Sequence, residues 1–138
     1  MLKSKLLHPE ILQVLGGSGH GGKVLIADGN YPFNTRANPA ARRVYLNLAP
    51  GLLTVTDVLE TLLTAIPVEA ADVMITDSGA EPDIYADFRR LLPGLTLTAT
   101  ERFQFYDKCL DRDVCLVIAT GEQRLYANIL LTIGVVNP

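Results

Sequence analysis

The sequence predicts an α/β fold, and three observations carry that expectation. Short apolar runs rich in β-branched residues, such as Val24-Leu25-Ile26-Ala27 and Val114-Cys115-Leu116-Val117-Ile118-Ala119, recur along the chain. Between them stand segments whose apolar residues repeat at helical spacing, and Gly or Pro punctuates most of the boundaries. Strands that alternate with helices imply a sheet covered by helices. The 138 residues are 49% apolar and 20% charged, so residues 1–138 are expected to form one domain with one substantial core.

Taken in order, His8-Pro9-Glu10-Ile11-Leu12-Gln13-Val14-Leu15 has proline where a first helical turn tolerates it, and this short helix ends at Gly16-Gly17. Residues 23–28 read as a strand covered on both faces, stopped by Gly29-Asn30 and Pro32, with Asp28 at its C-terminal end. A loop rich in Asn, Pro and Arg fills residues 30–42; Val44–Leu48 reads as a strand and Pro50-Gly51 as a turn. The spacing predicts a helix over Thr56–Ile66, with Asp57 and Glu60 as a capping box, Leu59, Leu62 and Leu63 on one face and Pro67 as the stop. Val73–Thr76 is the next strand. Glu81–Leu92 carries Ile84, Phe88 and Leu91 at helical spacing and ends at Pro93-Gly94. Leu95–Thr100 reads as a short strand whose Thr100 caps a helix from Glu101 to about Leu110, and Val114–Ala119 and Asn128–Val136 close the set as two further strands.

Composition removes several classes of function. Twelve basic residues against fifteen acidic ones give a net charge of −3 and a pI near 5.3, with no block of like charge. Nucleic acid and anionic membranes are therefore not expected as partners. No apolar run reaches the roughly 18 residues of a membrane span, and the start, MLKSKLLHPEIL, lacks the long apolar stretch of a signal peptide. A soluble, cytoplasmic protein is expected. Cys109 and Cys115 fit neither a C-x-x-C redox motif nor a zinc knuckle and read as buried thiols.

Gly17-Ser18-Gly19-His20-Gly21-Gly22-Lys23 satisfies G-x-G-x-x-G and part of a P-loop. A phosphate loop must follow a strand and open a helix, whereas here a helix precedes the glycines and a strand follows them. The residue after the lysine is Val24, so the hydroxyl that would ligate magnesium is missing too. What the segment offers instead is an accessible histidine, His20, eight residues before Asp28. An imidazole can give or take a proton near neutral pH, and an aspartate can orient a hydroxyl. Spacing leaves open the plainer alternative that His20 is a loop residue and Asp28 caps the following turn. His8, His20 and Asp28 are conceivable metal ligands, but no helical H-x-x-x-H pair exists and no metal is expected. None of Ser4, Ser18 and Ser78 sits in a nucleophile elbow, so covalent catalysis is not expected either.

A second cluster lies toward the C-terminus, where Arg102-Phe103-Gln104-Phe105-Tyr106 is followed by Thr120-Gly121-Glu122 and Tyr126-Ala127-Asn128. A guanidinium fork, phenols and an amide are good partners for sugar hydroxyls, and an aromatic ring packs on the apolar face of a pyranose. The alternative has the aromatics in the core, Arg102 solvated in a first helical turn and Asn128 starting a strand. Arg102 opposes the dipole of its own helix, which tilts the balance toward function.

Taken together, G-H-G at Gly19–Gly21, Ala27-Asp28-Gly29-Asn30-Tyr31-Pro32, the R-F-x-F-Y run and T-G-E with Y-A-N resemble the ribose pyranase and fucose mutarotase (RbsD/FucU) family over both ends of the chain. The resemblance implies an α/β/α sandwich around a mixed sheet, assembled as a ring-shaped decamer with sites at or near subunit interfaces. It implies His20 as catalytic proton donor, Asp28, Arg102, Tyr126 and Asn128 around a monosaccharide, and Ala127 contributing backbone; no cofactor is implied. Arg102 resembles the fucose branch, since the ribose branch typically has histidine there, so L-fucose is the first expected substrate and D-ribose the alternative. A third reading is a sugar-binding accessory of uptake that catalyses nothing. The middle, from Asn34 to about Thr98, departs from the family pattern: Asn47-Leu48-Ala49-Pro50-Gly51-Leu52 stands where fucose mutarotases usually read R-A-D-G-L.

Overall fold

Parallel strands that are apolar along their whole length need cover on both faces, and the structure provides it. The computed structural model describes residues 1–138. Its elements run α1 (Pro9–Gly17), β1 (Lys23–Ala27), β2 (Arg42–Tyr45), α2 (Val55–Leu62), β3 (Val68–Met74), α3 (Ile84–Leu91), β4 (Leu97–Thr100), α4 (Arg102–Cys109), β5 (Val114–Ala119) and β6 (Ile129–Ile133). The six strands form one sheet in the order β2-β5-β1-β6-β3-β4. β6 runs antiparallel to both its neighbours, β1 and β3, while the pairs β1–β5, β2–β5 and β3–β4 are parallel.

Alternation along β1 separates two cores. Val24 and Ile26 face the layer built by α1, α2 and α3, where Ile11, Leu59, Leu62, Ile84 and Phe88 are buried. Leu25 and Ala27 face the other way, against Phe105 and Cys109 of α4 and against Tyr31, Ala37 and Ala41 of the long loop. This is the expected α/β/α sandwich around a mixed sheet. Cys109 is buried, and that burial pushes its thiol up to about 12; Cys115 is half-buried.

Several boundaries differ from the sequence reading, each for a local reason. α2 is capped by Thr54, whose Oγ1 accepts from the Asp57 N–H at 3.2 Å while Asp57 Oδ2 accepts from the Thr54 N–H at 2.9 Å. The capping box thus pairs Thr54 with Asp57, not Asp57 with Glu60, and the helix ends at Leu62 in a turn. α4 is capped by Glu101, which accepts from the N–H groups of Phe103 and Gln104 at 3.1 and 2.8 Å; Thr100 is instead the last residue of β4. β3 starts at Val68, five residues ahead of the Val73 expected, because pairing with β6 holds the Glu69-Ala70 stretch extended against its polar and small side chains. β2 begins at Arg42 and stops at Tyr45, and β6 stops at Ile133 because the Gly134 N–H turns to the Pro67 carbonyl.

The topology concentrates useful groups at one edge. β1, β2 and β5 are parallel, so their C-terminal ends lie together, and β6 starts beside the end of β1. Crevices outside the carboxyl ends of strands are where open α/β sheets bind ligands. Residues 120–124 close this end against the 49–53 turn. The Gly51 N–H donates to Gly121 O at 2.6 Å and the Gly121 N–H to Leu53 O at 2.9 Å. A Cβ on Gly121 would collide with the carbonyl oxygens of Ala49 and Leu52, so only glycine permits this approach.

Phe88 is fully buried, and its truncation to alanine should cost roughly 3–5 kcal/mol. Thr54→Ala should cost only about 1 kcal/mol, the usual value of a lost N-cap. Urea denaturation of the two variants beside the wild type checks both the sizes and their order.

Candidate active site

A carboxylate taken out of water must be matched by donors, and Asp28 is only 3% exposed. Two donors meet the need. Asp28 Oδ1 accepts from the Asn30 N–H at 2.9 Å, and Oδ2 accepts from Asn128 Nδ2 at 2.9 Å. In return the Asp28 N–H donates to Asn128 Oδ1 at 2.8 Å, so the end of β1 and the residue before β6 are clasped reciprocally. Burial pushes the Asp28 carboxyl above the ordinary aspartate value, against the opposing pull of these hydrogen bonds. The result is a fixed carboxylate that is a better proton acceptor than a solvated one.

Around it opens a cavity of about 270 Å³, small for a ligand site, lined by Asp28, Arg102, Tyr106, Tyr126 and Asn128 among others. Arg102 and Tyr106 arrive one helical turn apart on α4, which places both on one face. The Arg102 Nε is buried without a hydrogen-bond partner, and only a long contact of 3.4 Å ties its Nη2 to Asp77. Burial raises the Tyr106 phenol above its ordinary value, so it stays protonated and able to donate. Tyr126 has a φ of +60°, a left-handed backbone that costs a non-glycine residue on the order of 1–3 kcal/mol. Met74 and Leu125 supply apolar wall. Ala127 is fully buried with its side chain in the core, leaving its backbone to join Tyr126 to Asn128.

The segment carrying Tyr126 is held from below. Glu122, 4% exposed, accepts from the N–H groups of Gln123 and Arg124, from the Arg124 guanidinium at 3.0 and 2.8 Å, and from the Val55 N–H at the start of α2. Arg124 continues to Asp87 of α3 at 2.9 Å. Burial pushes the Glu122 carboxyl up, but the Arg124 bonds outweigh it and hold the group below the ordinary glutamate value.

Four of the expected site residues, Asp28, Arg102, Tyr126 and Asn128, therefore meet at one cavity. His20 does not join them. It sits between α1 and β1, at the opposite end of β1 from Asp28, and its Nε2 lies 3.0 Å from both carboxylate oxygens of Glu69. The strand between them is about 17 Å long at the usual rise per residue. His8 caps α1, with its Nδ1 accepting from the Ile11 N–H, so the three groups weighed as metal ligands do not converge. Sequence reasoning placed Tyr106 in its cluster without assigning it a role, although its spacing from Arg102 on one helix was the available signal. It missed Glu69 and the supporting task of Glu122, for which local pattern gives no cue.

Comparison with known proteins gives a consistent picture. A family model described as the RbsD / FucU transport protein family matches residues 1–136. A D-ribose pyranase of Symbiobacterium thermophilum is 33% identical over 98% of each chain. A fucose mutarotase of Mus musculus is 32% identical over 94% of this chain and 90% of that one. Among solved structures, the fucose mutarotase of Streptococcus pneumoniae in complex with L-fucose superposes with a TM-score of 0.84 at 27% identity, covering 99% of this chain and all of that one. Bacillus subtilis RbsD complexed with D-ribose superposes with a TM-score of 0.86 at 25% identity and the same coverage. No helix is long and apolar enough to cross a membrane.

The Glu122 network sets a pH dependence. A carboxyl held below its ordinary value of 4.5 contributes stability that is present above that pH and lost as pH falls through the depressed value. Glu122→Gln should therefore cost roughly 2–4 kcal/mol at neutral pH, with the difference from wild type shrinking below about pH 4.5. Denaturant titrations at neutral and acidic pH read both values.

Proposed function

The chain belongs to the RbsD/FucU family, and on that premise we propose that it is a cytoplasmic sugar mutarotase that interconverts the anomers of a monosaccharide pyranose, with L-fucose as first substrate. The observation that carries the reading is the cavity where a buried carboxylate–amide pair stands with a guanidinium whose Nε has no partner. Such donors and acceptors suit vicinal hydroxyls, and Tyr106 and Tyr126 add apolar faces with polar tips.

Mutarotation opens a cyclic hemiacetal, turns the freed aldehyde and recloses it on the other face. Opening requires a proton delivered to the ring oxygen and a proton removed from the anomeric hydroxyl, and closure reverses both. We assign delivery to His20 and substrate positioning to Arg102, Tyr126 and Asn128, with the Ala127 backbone beside them. Asp28 is the one carboxylate lining the cavity, and its raised basicity suits it to accept the anomeric proton. No step calls for a metal, a nucleotide or a covalent intermediate.

Because His20 stands at the far end of β1, the reading requires it from a neighbouring copy. A ring-shaped homo-oligomer, in the decameric form that the resemblance to the family implies, would supply that arrangement. Exposed apolar residues beside the cavity, Phe103 at 59% and Leu125 at 64%, support burial of this edge against another copy. D-Ribose is the second candidate, because a D-ribose pyranase is among the relatives that match the whole chain.

Magnetization-transfer NMR on the anomeric protons of L-fucose, with D-ribose alongside, tests the proposal. Wild type should accelerate exchange, and His20→Ala should slow it roughly 10²- to 10⁴-fold, the range for a positioned acid–base group, without changing the circular dichroism. Line broadening without exchange would make the protein a sugar binder instead.

A further inference from the structure

The pairing of His20 with Glu69 is built by more than proximity. β3 carries Glu69 as an extra residue: its register moves from Val68 to Ala70 while β6 moves only from Ile133 to Thr132. A bulge of this kind leaves one residue outside the ladder and re-aims its side chain. The loop bearing His20 is pinned beside it, with the Gly21 N–H donating to Ile133 O at 2.9 Å and the Ile133 N–H to Gly22 O at 2.8 Å. Gly134 completes the arrangement, since a Cβ there would stand 3.2 Å from the Cβ of Glu69. A pair whose side chains are 58% and 45% exposed adds little to stability, so stability does not account for a bulge, a pinned loop and a close-approach glycine converging on it.

We propose that Glu69 is a positioning residue that fixes the ring orientation and tautomer of His20. The inference deepens the mutarotase reading and rests on it for its catalytic part. Glu69 accepts from Nε2–H, so the neutral imidazole keeps its proton on Nε2 and presents the lone pair of Nδ1 outward. The charged imidazolium carries N–H groups at both positions. When Nδ1–H gives its proton to the sugar ring oxygen, the neutral ring left behind already has the tautomer that Glu69 holds. On closure Nδ1 takes the proton back, and no tautomer exchange interrupts the cycle. The carboxylate itself touches no substrate and acts only through the imidazole.

Two readouts decide the matter on the full-length protein. Long-range nitrogen–proton NMR of protein labelled at its two histidines, at a pH where the rings are neutral, should show His20 as the Nε2–H tautomer. Glu69→Ala should turn it into a tautomer mixture. Gly134→Ala, which leaves the carboxylate in the chain but crowds it, should do so in part. In anomeric exchange, Glu69→Ala should lower kcat about tenfold or more with KM little changed, and Glu69→Gln, which keeps an acceptor oxygen, should recover part of the loss. An unchanged tautomer in Glu69→Ala overturns the proposal and leaves an ordinary surface pair. A changed tautomer with kcat unaltered overturns the catalytic part. If wild type exchanges neither sugar, the mutarotase reading fails, while the tautomer measurement still decides whether Glu69 sets the ring.

Discussion

Everything at the functional end of this molecule depends on the reciprocal clasp between Asp28 and Asn128. The mixed sheet makes it available: β6 is antiparallel to β1, with Ile129 opposite Ile26, so it begins where β1 ends and brings Asn128 within reach of Asp28. Replace that antiparallel neighbour with a parallel one and the amide would start at the other end of the sheet. The clasp also makes the buried carboxylate tolerable. An isolated aspartate at 3% exposure would take up a proton rather than stay charged, whereas here an amide and a backbone N–H replace part of its lost hydration. Two opposed effects thus leave a group that is both fixed and more basic than usual.

The same region holds features that work against stability. Tyr126 adopts a left-handed backbone, and the Arg102 Nε is buried without a partner. Such strain persists only where the surroundings over-determine it, and here they do. Asn128 is locked to Asp28 on one side, and on the other Glu122 and Arg124 bind the segment to the ends of α2 and α3. The buried Glu122 network therefore acts as a foundation: it contacts no part of the cavity that faces a ligand, yet it sets the backbone from which Tyr126 projects. A second crevice of about 460 Å³, lined by Asn30, Asn47 and Gln123 among others, shares Asn30 with the cavity around Asp28, so the polar surface at this edge extends beyond that cavity.

The alternation of elements was legible in the sequence because the strands buried on both faces advertise themselves. β1 and β5 read correctly to within a residue, since Val24–Ala27 and Val114–Ala119 have little polar interruption. β3 did not, because Glu69, Ala70 and Asp72 carry no strand signal and it is pairing with β6, joined by β4 at Asp72, that holds the stretch extended. Caps were misread by one residue or more where two polar residues stood side by side, as Thr100 and Glu101 do; local pattern cannot tell which side chain will fold back on the helix. The cavity was legible in part. Asp28, Arg102 and the pair Tyr126 and Asn128 come from three stretches of chain, and residue chemistry alone left each ambiguous; the joint pattern drew them together. Glu69 was invisible, because a bulge is a property of two strands in register and no single stretch encodes it.

The placement of His20 follows from connectivity rather than from any side-chain choice. Its loop feeds the start of β1, and Asp28 leaves the end, so the length of the strand separates them in every chain that keeps this sheet. No rotamer of an imidazole spans a distance of that order. If both act on one sugar, each chain lends its histidine end to one neighbour and its carboxylate end to another, a head-to-tail contact that closes into a ring when the rotation permits. Catalysis and assembly are then one property, and the bulge at Glu69 gains a further reason. A donor offered to another molecule cannot be oriented by the cavity it serves, so its own chain must hold it at the correct angle before the two meet.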